Sequence, residues 1–445
     1  MFVERRQKLL NSMGPDAVAV FVGARLAVRS ADTEFPFRQD SDFWYLTGFD
    51  HPEAIAILST REGPDFSLFV QERDRAAETW TGIRPGVEGA VSDYGADEAH
   101  PCGDLLSKLP DVLRGAKRIY HSLGRNLEID ARIIELQDEI RRQSRGGVLP
   151  AEELIDPRLL VHEMRLHKSA EEVRIMQRAA DISFEAHHRA ARLAQPERFE
   201  YELEAELGQV FRARGGSGPA YGTIVGGGKN ATILHYIRND QPLRAGDLVL
   251  IDAGVELEGY ASDVTRTYPV GGRFEPAARD LYEVVLAAQI KAIEASGPNK
   301  TLPEIHAVAL RVLCEGMVAL GILKGEVDQI IETKAYKPYY MHGTSHWLGL
   351  DVHDVGAYVV DEVVDEVVDG VGSGTAKPRP LAKGMAYTIE PGLYIPEDDG
   401  NAPEAFRGIG IRIEDDIVVT EDGVLNLNAK IPKKIDEIEA WVRGD

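Results

Sequence analysis

Residues 246–254 read Gly-Asp-Leu-Val-Leu-Ile-Asp-Ala-Gly, and residues 384–392 read Gly-Met-Ala-Tyr-Thr-Ile-Glu-Pro-Gly. The two stretches align without a gap at an offset of 384 − 246 = 138 residues. Each consists of a turn glycine, an apolar run, a carboxylate and a second glycine, which is typical of a buried strand that ends in an acid. The repeat therefore predicts two similar halves that face each other across a pseudo-two-fold axis.

Each half continues into a second strand-like stretch with a further acid, within residues 262–266 and residues 411–415. Apolar runs such as Leu248 to Ile251 carry their terminal carboxylates inward, where an uncompensated negative charge is very costly. Four acids converge in this way: Asp252, Asp263, Glu390 and Glu414. These buried carboxylates therefore need a positive charge close by to compensate them.

Arg412 and Glu414 alternate with Ile411 and Ile413, so strand geometry places the two charged side chains on one face. The arginine can then hold a neighbouring acidic ligand. A surface strand with an exposed ion pair is the ordinary alternative, but it leaves the matching carboxylates of the other half unexplained.

Three histidines, His342, His346 and His353, lie within 353 − 342 + 1 = 12 residues among glycines and aromatic residues. A helical zinc-peptidase motif needs a glutamate directly after its first histidine, and Gly343 stands there instead. Four carboxylates with one imidazole form an oxygen-rich ligand set that suits Mn²⁺, Co²⁺ or Zn²⁺. Two such ions, roughly 3.5 to 4 Å apart, would balance the charge and hold a bridging water whose pKa is lowered toward neutrality. That water is the predicted nucleophile.

Composition excludes several classes of protein. The formal net charge of −23 argues against nucleic-acid binding, which depends on cationic contacts to phosphate. No apolar run approaches the ~20 residues that a bilayer span requires, and we expect no signal peptide. Because only Cys102 and Cys314 are present, the chain fits a reducing compartment, and we expect a cytoplasmic protein.

The length of 445 residues predicts two domains. The segment from Ser144 to Pro157 is polar and contains glycines and prolines, as expected where few contacts cross. We therefore place a small α/β domain at residues 1–155 and the larger, site-bearing domain at residues 156–445.

Other motifs are assigned no chemistry. Residues 225–229, Val-Gly-Gly-Gly-Lys, lack two required positions of a phosphate-binding loop, so we expect a tight loop that leads to His235. Ser169 and Glu172 have the spacing of a helix capping box, and a long amphipathic helix should follow, with His187 and His188 on its surface. The other histidines are expected to be surface residues, or core residues with hydrogen-bonded rings, and not metal ligands: His51, His100, His121, His162, His167 and His306.

These residues resemble the pita-bread metallopeptidases, and among them the aminopeptidase P group of Xaa-Pro aminopeptidases. The matching motifs are Leu-Ile-Asp-Ala-Gly (250–254), Asp-Val-Thr-Arg-Thr (263–267), His-Gly-Thr-Ser-His (342–346), Thr-Ile-Glu-Pro-Gly (388–392) and Gly-Ile-Arg-Ile-Glu-Asp (410–415). Residues 41–48, Ser-Asp-Phe-Trp-Tyr-Leu-Thr-Gly, extend the similarity to nearly the whole chain. The resemblance implies an α/β (α+β) protein. A small creatinase-like α/β domain, which serves substrate access or oligomerisation, precedes a pita-bread catalytic domain.

The resemblance also implies a metal ligand set. Asp252 would bind one metal ion, His346 and Glu390 would bind the other, and Asp263 and Glu414 would bridge both. The implied cofactor is two divalent ions per subunit, with Mn²⁺ preferred over Co²⁺ and Zn²⁺. The other implied site residues handle protons, contact the substrate or support the ligands: His235, His342, His353, Arg412, Tyr221 and Trp80. Trp80 would reach the site of a neighbouring subunit.

The reaction expected from this resemblance removes an amino-terminal residue that precedes proline. The bridging hydroxide would attack the carbonyl carbon, with Glu390 as general base, and a histidine would stabilise the oxyanion before the proline nitrogen leaves. The expected partners are peptides with proline at the second position and further copies of the chain, in a dimer or tetramer. Neither nucleic acid nor a membrane is expected.

Several alternatives remain at this stage. Prolidase shares the fold and ligands but accepts only dipeptides, and residues 41–48 together with Trp80 favour aminopeptidase P. Methionine aminopeptidase usually lacks the long first domain. A non-catalytic pita-bread binding module, or a metal-free creatinase-like hydrolase, should lack a ligand, and this chain lacks none. The acidic insert from Asp361 to Gly374 departs from the shorter connection expected in the family and predicts a solvated loop or hairpin that can alter access to the site or subunit contacts.

Overall fold

The computed structural model describes residues 1–361 and 376–445. The described chain divides into two compact units, Met1–Arg165 and Leu166–Asp445. This division lies 165 − 155 = 10 residues beyond the boundary expected from the sequence. Apart from Asp361, the acidic insert lies outside the described residues, so its form stays a prediction. No helix within the described ranges is long and apolar enough to cross a membrane.

The first unit is a mixed α/β domain, as predicted. Its strands are β1 (Ala17–Val22), β2 (Val28–Ser30), β3 (Thr33–Glu34), β4 (Ile55–Ser59), β5 (Phe66–Val70), β6 (Glu98–Pro101), β7 (Arg118–His121) and β8 (Glu153–Ile155). Its helices are α1 (Phe2–Met13), α2 (Ser41–Thr47), α3 (Arg75–Thr81), α4 (Gly86–Ser92), α5 (Leu105–Leu113) and α6 (Leu127–Arg142), and α7 (Arg158–Leu166) follows at the division. One sheet has the order β6-β5-β4-β1-β7-β8, with β1 antiparallel to β4 and parallel to β7.

Strand β1 shows why this sheet forms. Its sequence, Ala-Val-Ala-Val-Phe-Val, is apolar throughout, as expected of a central strand that is covered on both faces. Val18 and Val20 share a buried cluster with Leu109 of α5 and Ile133 of α6. The helices therefore cover the sheet by burying their apolar stripes against it.

The second unit holds the sequence repeat. Its strands among the described residues are β9 (Gly218–Pro219), β10 (Ile224–Gly227), β11 (Leu248–Asp252), β12 (Val255–Leu257), β13 (Tyr260–Ala261), β14 (Thr265–Pro269), β15 (Val359–Asp361), β16 (Ala376–Pro378), β17 (Ala386–Ile389), β18 (Gly392–Tyr394), β19 (Gly410–Arg412), β20 (Asp415–Val419) and β21 (Val424–Asn426). Its helices are α8 (Ala170–Arg192), α9 (Glu200–Ala213), α10 (Pro276–Glu294), α11 (Leu302–Ala319), α12 (Val327–Glu332) and α13 (Ile435–Arg443).

The two halves of the repeat have the same nested strand pairing. In the first half β11 pairs with β14 and β12 pairs with β13, all antiparallel. In the second half β17 pairs with β20 and β18 pairs with β19, again antiparallel. Asp252 ends β11 and Glu390 directly follows β17, so the two carboxylates lie at the same end of equivalent strands. The predicted two-fold organisation is confirmed.

Helix α8 confirms the predicted capping box. The backbone N–H of Glu172 donates to Ser169 Oγ, and the backbone N–H of Ser169 donates to Glu172 Oε2. The expected surface position of His187 is wrong, because this side chain is 0% exposed. Its two ring nitrogens lie 3.1 Å from the Tyr268 hydroxyl and 3.0 Å from the Ala253 carbonyl oxygen. A histidine with both nitrogens paired can occupy the buried stripe of a helix.

The glycine-rich stretch at residues 225–229 is not a simple loop, contrary to expectation. Val225 pairs with Ile251 in the sheet, and a 3₁₀ helix, Gly228–Thr232, follows directly. A Cβ atom on Gly226 would lie 3.0 Å from the carbonyl oxygen of Asn230. The glycines therefore serve the close approach of two backbone segments.

Candidate metal centre

A cavity of about 530 Å³ in the second unit gathers the predicted site residues. The predicted residues that line it are Tyr221, His235, Asp252, Asp263, His342, His346, His353, Glu390, Arg412 and Glu414. Trp80 is the exception: it lies in α3 of the first unit, where its side chain is 88% exposed. The structure thus brings together the carboxylates of both halves and the histidine cluster.

Asp263, His346 and Glu414 place their ligand atoms closest together. One carboxylate oxygen from each acid and one ring nitrogen of His346 all lie within 4.8 Å of one another. His346 Nε2 is 3.4 Å from Asp263 Oδ2 and 3.5 Å from Glu390 Oε1. His346 Nδ1 lies 3.0 Å from the carbonyl oxygen of Trp347 and must donate to it, which leaves Nε2 as the ligand atom.

Asp252 is held by two protein donors. The Tyr221 hydroxyl donates to Asp252 Oδ1 over 2.6 Å, and Arg412 Nη2 donates to Asp252 Oδ2 over 2.6 Å. Tyr221 therefore has a direct contact with a candidate ligand. The strand pattern predicts that Arg412 can hold a neighbouring acidic ligand, and the carboxylate that it contacts is Asp252 of the other half.

Arg412 is also the centre of a wider hydrogen-bond network. Its Nε donates to Thr265 Oγ1 over 3.1 Å, and its Nη1 donates to the Tyr394 hydroxyl over 3.0 Å. The Thr265 hydroxyl in turn donates to Glu414 Oε2 over 2.7 Å. The guanidinium thus links candidate ligands from both halves of the repeat.

The carboxylates carry more negative charge than the protein compensates. Burial raises the pKa of Glu414 well above its usual value, and the neighbouring carboxylates of Asp263 and Glu390 raise it further. Burial likewise raises the pKa of Glu390 to about 7. Burial lowers the pKa of His346, but the contact with Asp263 outweighs it and raises that pKa to about 9. The donor set and its excess charge therefore fit divalent cations.

His342 is held as a neutral imidazole. Its Nδ1 is 2.7 Å from the carbonyl oxygen of Gly343, and its Nε2 is 2.8 Å from the Tyr394 hydroxyl. Burial, together with the charge of Arg412, lowers the pKa of His342 to about 3. Nδ1 therefore carries the proton, and Nε2 accepts from Tyr394. His353 stacks edge-on against His346, with ring centroids 4.4 Å apart, and burial lowers its pKa.

Three residues of the site were not singled out from the sequence. Thr265 and Tyr394 connect to Arg412, as described above. Asp416 is buried, and its Oδ2 accepts from the backbone N–H of Asp263 over 3.1 Å. Thr265 and Asp416 lie two residues after the candidate ligands Asp263 and Glu414, a spacing that predicts a shared strand face and could have identified them. Tyr394 gave no signal, because its contact depends on how β18 and β19 pair.

Two family models and many relatives match this chain. Residues 174–421 match the model described as "Metallopeptidase family M24", and residues 2–120 match "Aminopeptidase P, N-terminal domain". The Xaa-Pro aminopeptidase of Escherichia coli (strain K12) is 44% identical over 441 residues, which is 99% of this chain and 96% of that relative.

Solved structures agree with these matches. Aminopeptidase PepP from Pseudomonas aeruginosa superposes with a TM-score of 0.93 at 44% identity, over 100% of this chain and 97% of that one. Zinc-substituted E. coli aminopeptidase P in complex with product superposes with a TM-score of 0.92 at 43% identity, over 100% of this chain and 98% of that one.

Proposed function

We propose, because the chain belongs to metallopeptidase family M24, that it is an aminopeptidase that hydrolyses the bond between an amino-terminal residue and a following proline. One observation carries the proposal: the five expected ligands line a single cavity, in a chain that is 44% identical to an Xaa-Pro aminopeptidase over 99% of its length. Proline fixes φ and lacks the N–H that many peptidases recognise, so such bonds need a dedicated enzyme.

We assign two divalent cations to the cavity, preferably Mn²⁺. Asp252 would hold one, His346 and Glu390 the other, and Asp263 and Glu414 both. The oxygen-rich donor set and the raised pKa values of the buried carboxyl groups support this assignment. When bound, the cations supply a water of lowered pKa and polarise the scissile carbonyl group.

The protein's own groups have separate tasks in this proposal. Glu390 Oε2 lies 3.8 Å from His342 Nδ1 on the cavity wall, where the carboxylate can take up and return a proton as general base. His235, His342 and His353 line the cavity from separate segments and would contact the substrate around the scissile bond. Burial raises the pKa of Asp252, and the ion pair with Arg412 opposes that shift.

We further propose that the chain acts in the cytoplasm as a dimer or tetramer, with the first domain serving oligomerisation or substrate access. The surface of the first unit supports this role, because Trp80 and Ile83 are large apolar residues that are exposed there. Trp80 would then contact the site of a neighbouring subunit.

The decisive test uses three peptides and metal-depleted protein with and without added Mn²⁺. We expect cleavage of an Xaa-Pro-Xaa tripeptide only after Mn²⁺ is added. Cleavage of an Xaa-Pro dipeptide alone would assign the chain to prolidase, and cleavage of a methionyl peptide without proline would assign it to methionine aminopeptidase. Metal-loaded protein that cleaves none of them would be a binding module.

A further inference from the structure

His235 lies on a segment that has little regular structure of its own. The 3₁₀ helix Gly228–Thr232 precedes it, and neither helix nor strand is assigned from residue 233 to the start of β11 at Leu248. A segment without a hydrogen-bond ladder needs other contacts to hold a side chain in one place. Since His235 lines the metal cavity, those contacts decide how precisely it meets a substrate.

Glu200, the first residue of α9, supplies such contacts. Its side chain is fully buried and accepts four hydrogen bonds from groups on both sides of His235. The donors are Gly227 N (2.8 Å) and Asn230 Nδ2 (2.9 Å) to Oε1, and the Tyr236 hydroxyl (2.8 Å) and Gln241 N (2.9 Å) to Oε2. The backbone N–H of Glu200 also donates to the Gln241 carbonyl oxygen over 3.0 Å.

This geometry requires a carboxylate. Each oxygen of Glu200 faces two donors. Only in an ionised carboxylate do both oxygens act purely as acceptors, because neither carries a hydrogen. The first turn of α9 favours the negative charge, because the amino-terminal end of a helix carries partial positive charge. A glutamine at this position would place an N–H₂ group opposite the backbone N–H of either Gly227 or Gln241, and that N–H would lose its acceptor.

The hydrogen bonds of Glu200 also fix this segment to β10, the strand that pairs with β11 and its candidate ligand Asp252. Gly227 ends β10, and Ile224 at its start pairs with Asp252 of β11. Asn239 forms a second tie, since its Oδ1 accepts from Val225 N over 3.0 Å and its Nδ2 donates to the Thr223 carbonyl oxygen over 2.9 Å. The segment that carries His235 is thereby fixed at both ends to the strand beside Asp252.

We propose that Glu200 is a positioning residue for His235. This inference rests on the proposed function, in which His235 contacts the substrate. Glu200 touches neither the cavity nor the candidate ligands, and it acts on the reaction through the segment that it holds. Its contribution is therefore to the efficiency of peptide hydrolysis and not to metal binding.

The test is a double-mutant cycle with Glu200→Gln and His235→Ala. We expect Glu200→Gln to lower kcat/KM for an Xaa-Pro-Xaa tripeptide at least about tenfold while the metal content stays unchanged. In the His235→Ala background the same change should lower kcat/KM less than about twofold. Glu206→Gln is the matched control, because Glu206 lies on the same helix in a partly exposed ion pair with Arg189.

A second measurement does not depend on activity. Backbone amide exchange over residues 227–241 of the metal-free protein should accelerate in Glu200→Gln and stay unchanged in Glu206→Gln. If the losses from Glu200→Gln and His235→Ala multiply, or if Glu200→Gln loses metal, the proposal is overturned. If Glu200→Gln does not fold, Tyr236→Phe, which removes one donor to Glu200, takes its place in the cycle with the same criteria. If Glu200→Gln accelerates exchange but the wild-type protein cleaves no Xaa-Pro peptide, the proposed function is refuted, whereas the fixing of this segment by Glu200 is supported.

Discussion

Arg412 Nη2 lies 2.6 Å from Asp252 Oδ2, and the two side chains are 4% and 11% exposed. Asp252 belongs to the first half of the repeat and Arg412 to the second, so this ion pair joins the halves across the candidate metal site. Removing one partner of a buried ion pair is strongly destabilising, because the other charge stays buried without compensation.

Arg412→Met should therefore lower the free energy of unfolding of the metal-free protein by about 3–5 kcal/mol. The loss should be smaller with saturating Mn²⁺, because the cations then compensate Asp252. Urea denaturation with and without Mn²⁺ measures both values. Arg178→Met is the control, since Arg178 forms an exposed ion pair with Glu258. Equal destabilisation in both conditions would contradict the assignment of Asp252 to a metal.

Asp263→Asn combined with Glu414→Gln should abolish metal retention and reduce kcat/KM by more than about 100-fold. The same double variant should destabilise the metal-free protein less than Arg412→Met does, because burial and the neighbouring carboxylates already disfavour the charged form of Glu414. Metal content after dialysis, peptide turnover and denaturation midpoints check these points. Glu397→Gln, at an exposed ion pair with Lys229, should change none of them. A double variant that keeps two ions and full activity would rule out this ligand set.

The repeat made much of the second unit predictable. A run of apolar residues that ends in an acid implies a buried strand wherever it occurs, so Asp252 and Glu390 could be placed at equivalent strand ends before the fold was known. The alternation around Arg412 was equally informative, because a two-residue period specifies which side chains share a face.

Contacts between distant segments were not predictable in the same way. His187 was assigned to a helix surface because histidine is polar, although both its nitrogens are paired in the core. Tyr394 and Glu200 carry no local signal either. The hydrogen-bond partners of Tyr394 lie 18 and 52 residues away, and those of Glu200 lie 27 to 41 residues away. Trp80 lies in the first unit, and its role stays a prediction.

Metal affinity should rise with pH. In the metal-free protein the pKa of Glu390 is raised to about 7 and that of His346 to about 9, so both groups hold protons below those values. A cation must displace these protons, and binding should tighten by up to about tenfold per pH unit for each proton released. Titration calorimetry with Mn²⁺ between about pH 6 and 8, in two buffers of different ionisation enthalpy, gives both affinity and proton release. An affinity that is the same at both ends of this range would contradict the prediction.

Asp415 should account for part of the acid sensitivity of the fold. Its carboxylate is fully buried and accepts from Arg266 Nη2 and Lys433 Nζ, each over 2.6 Å. Burial raises the pKa of Asp415, but the two cations outweigh it and hold that pKa well below the usual value. A pKa that is lower in the folded protein than in the unfolded chain stabilises the fold above about pH 4, and this contribution is lost as the pH falls.

Asp415→Asn should therefore lower the free energy of unfolding near neutral pH by about 3–5 kcal/mol, because Arg266 stays buried without its counter-charge. The variant should also lose less stability than the wild type between about pH 4 and pH 2, since the titrating group is gone. Glu421→Gln is the matched control, because the ion pair of Glu421 with Lys383 is exposed to solvent and should contribute little to stability. Denaturation curves at several pH values distinguish the two variants. If Asp415→Asn and Glu421→Gln lower the free energy of unfolding equally, the buried network around Asp415 does not contribute the stability assigned to it.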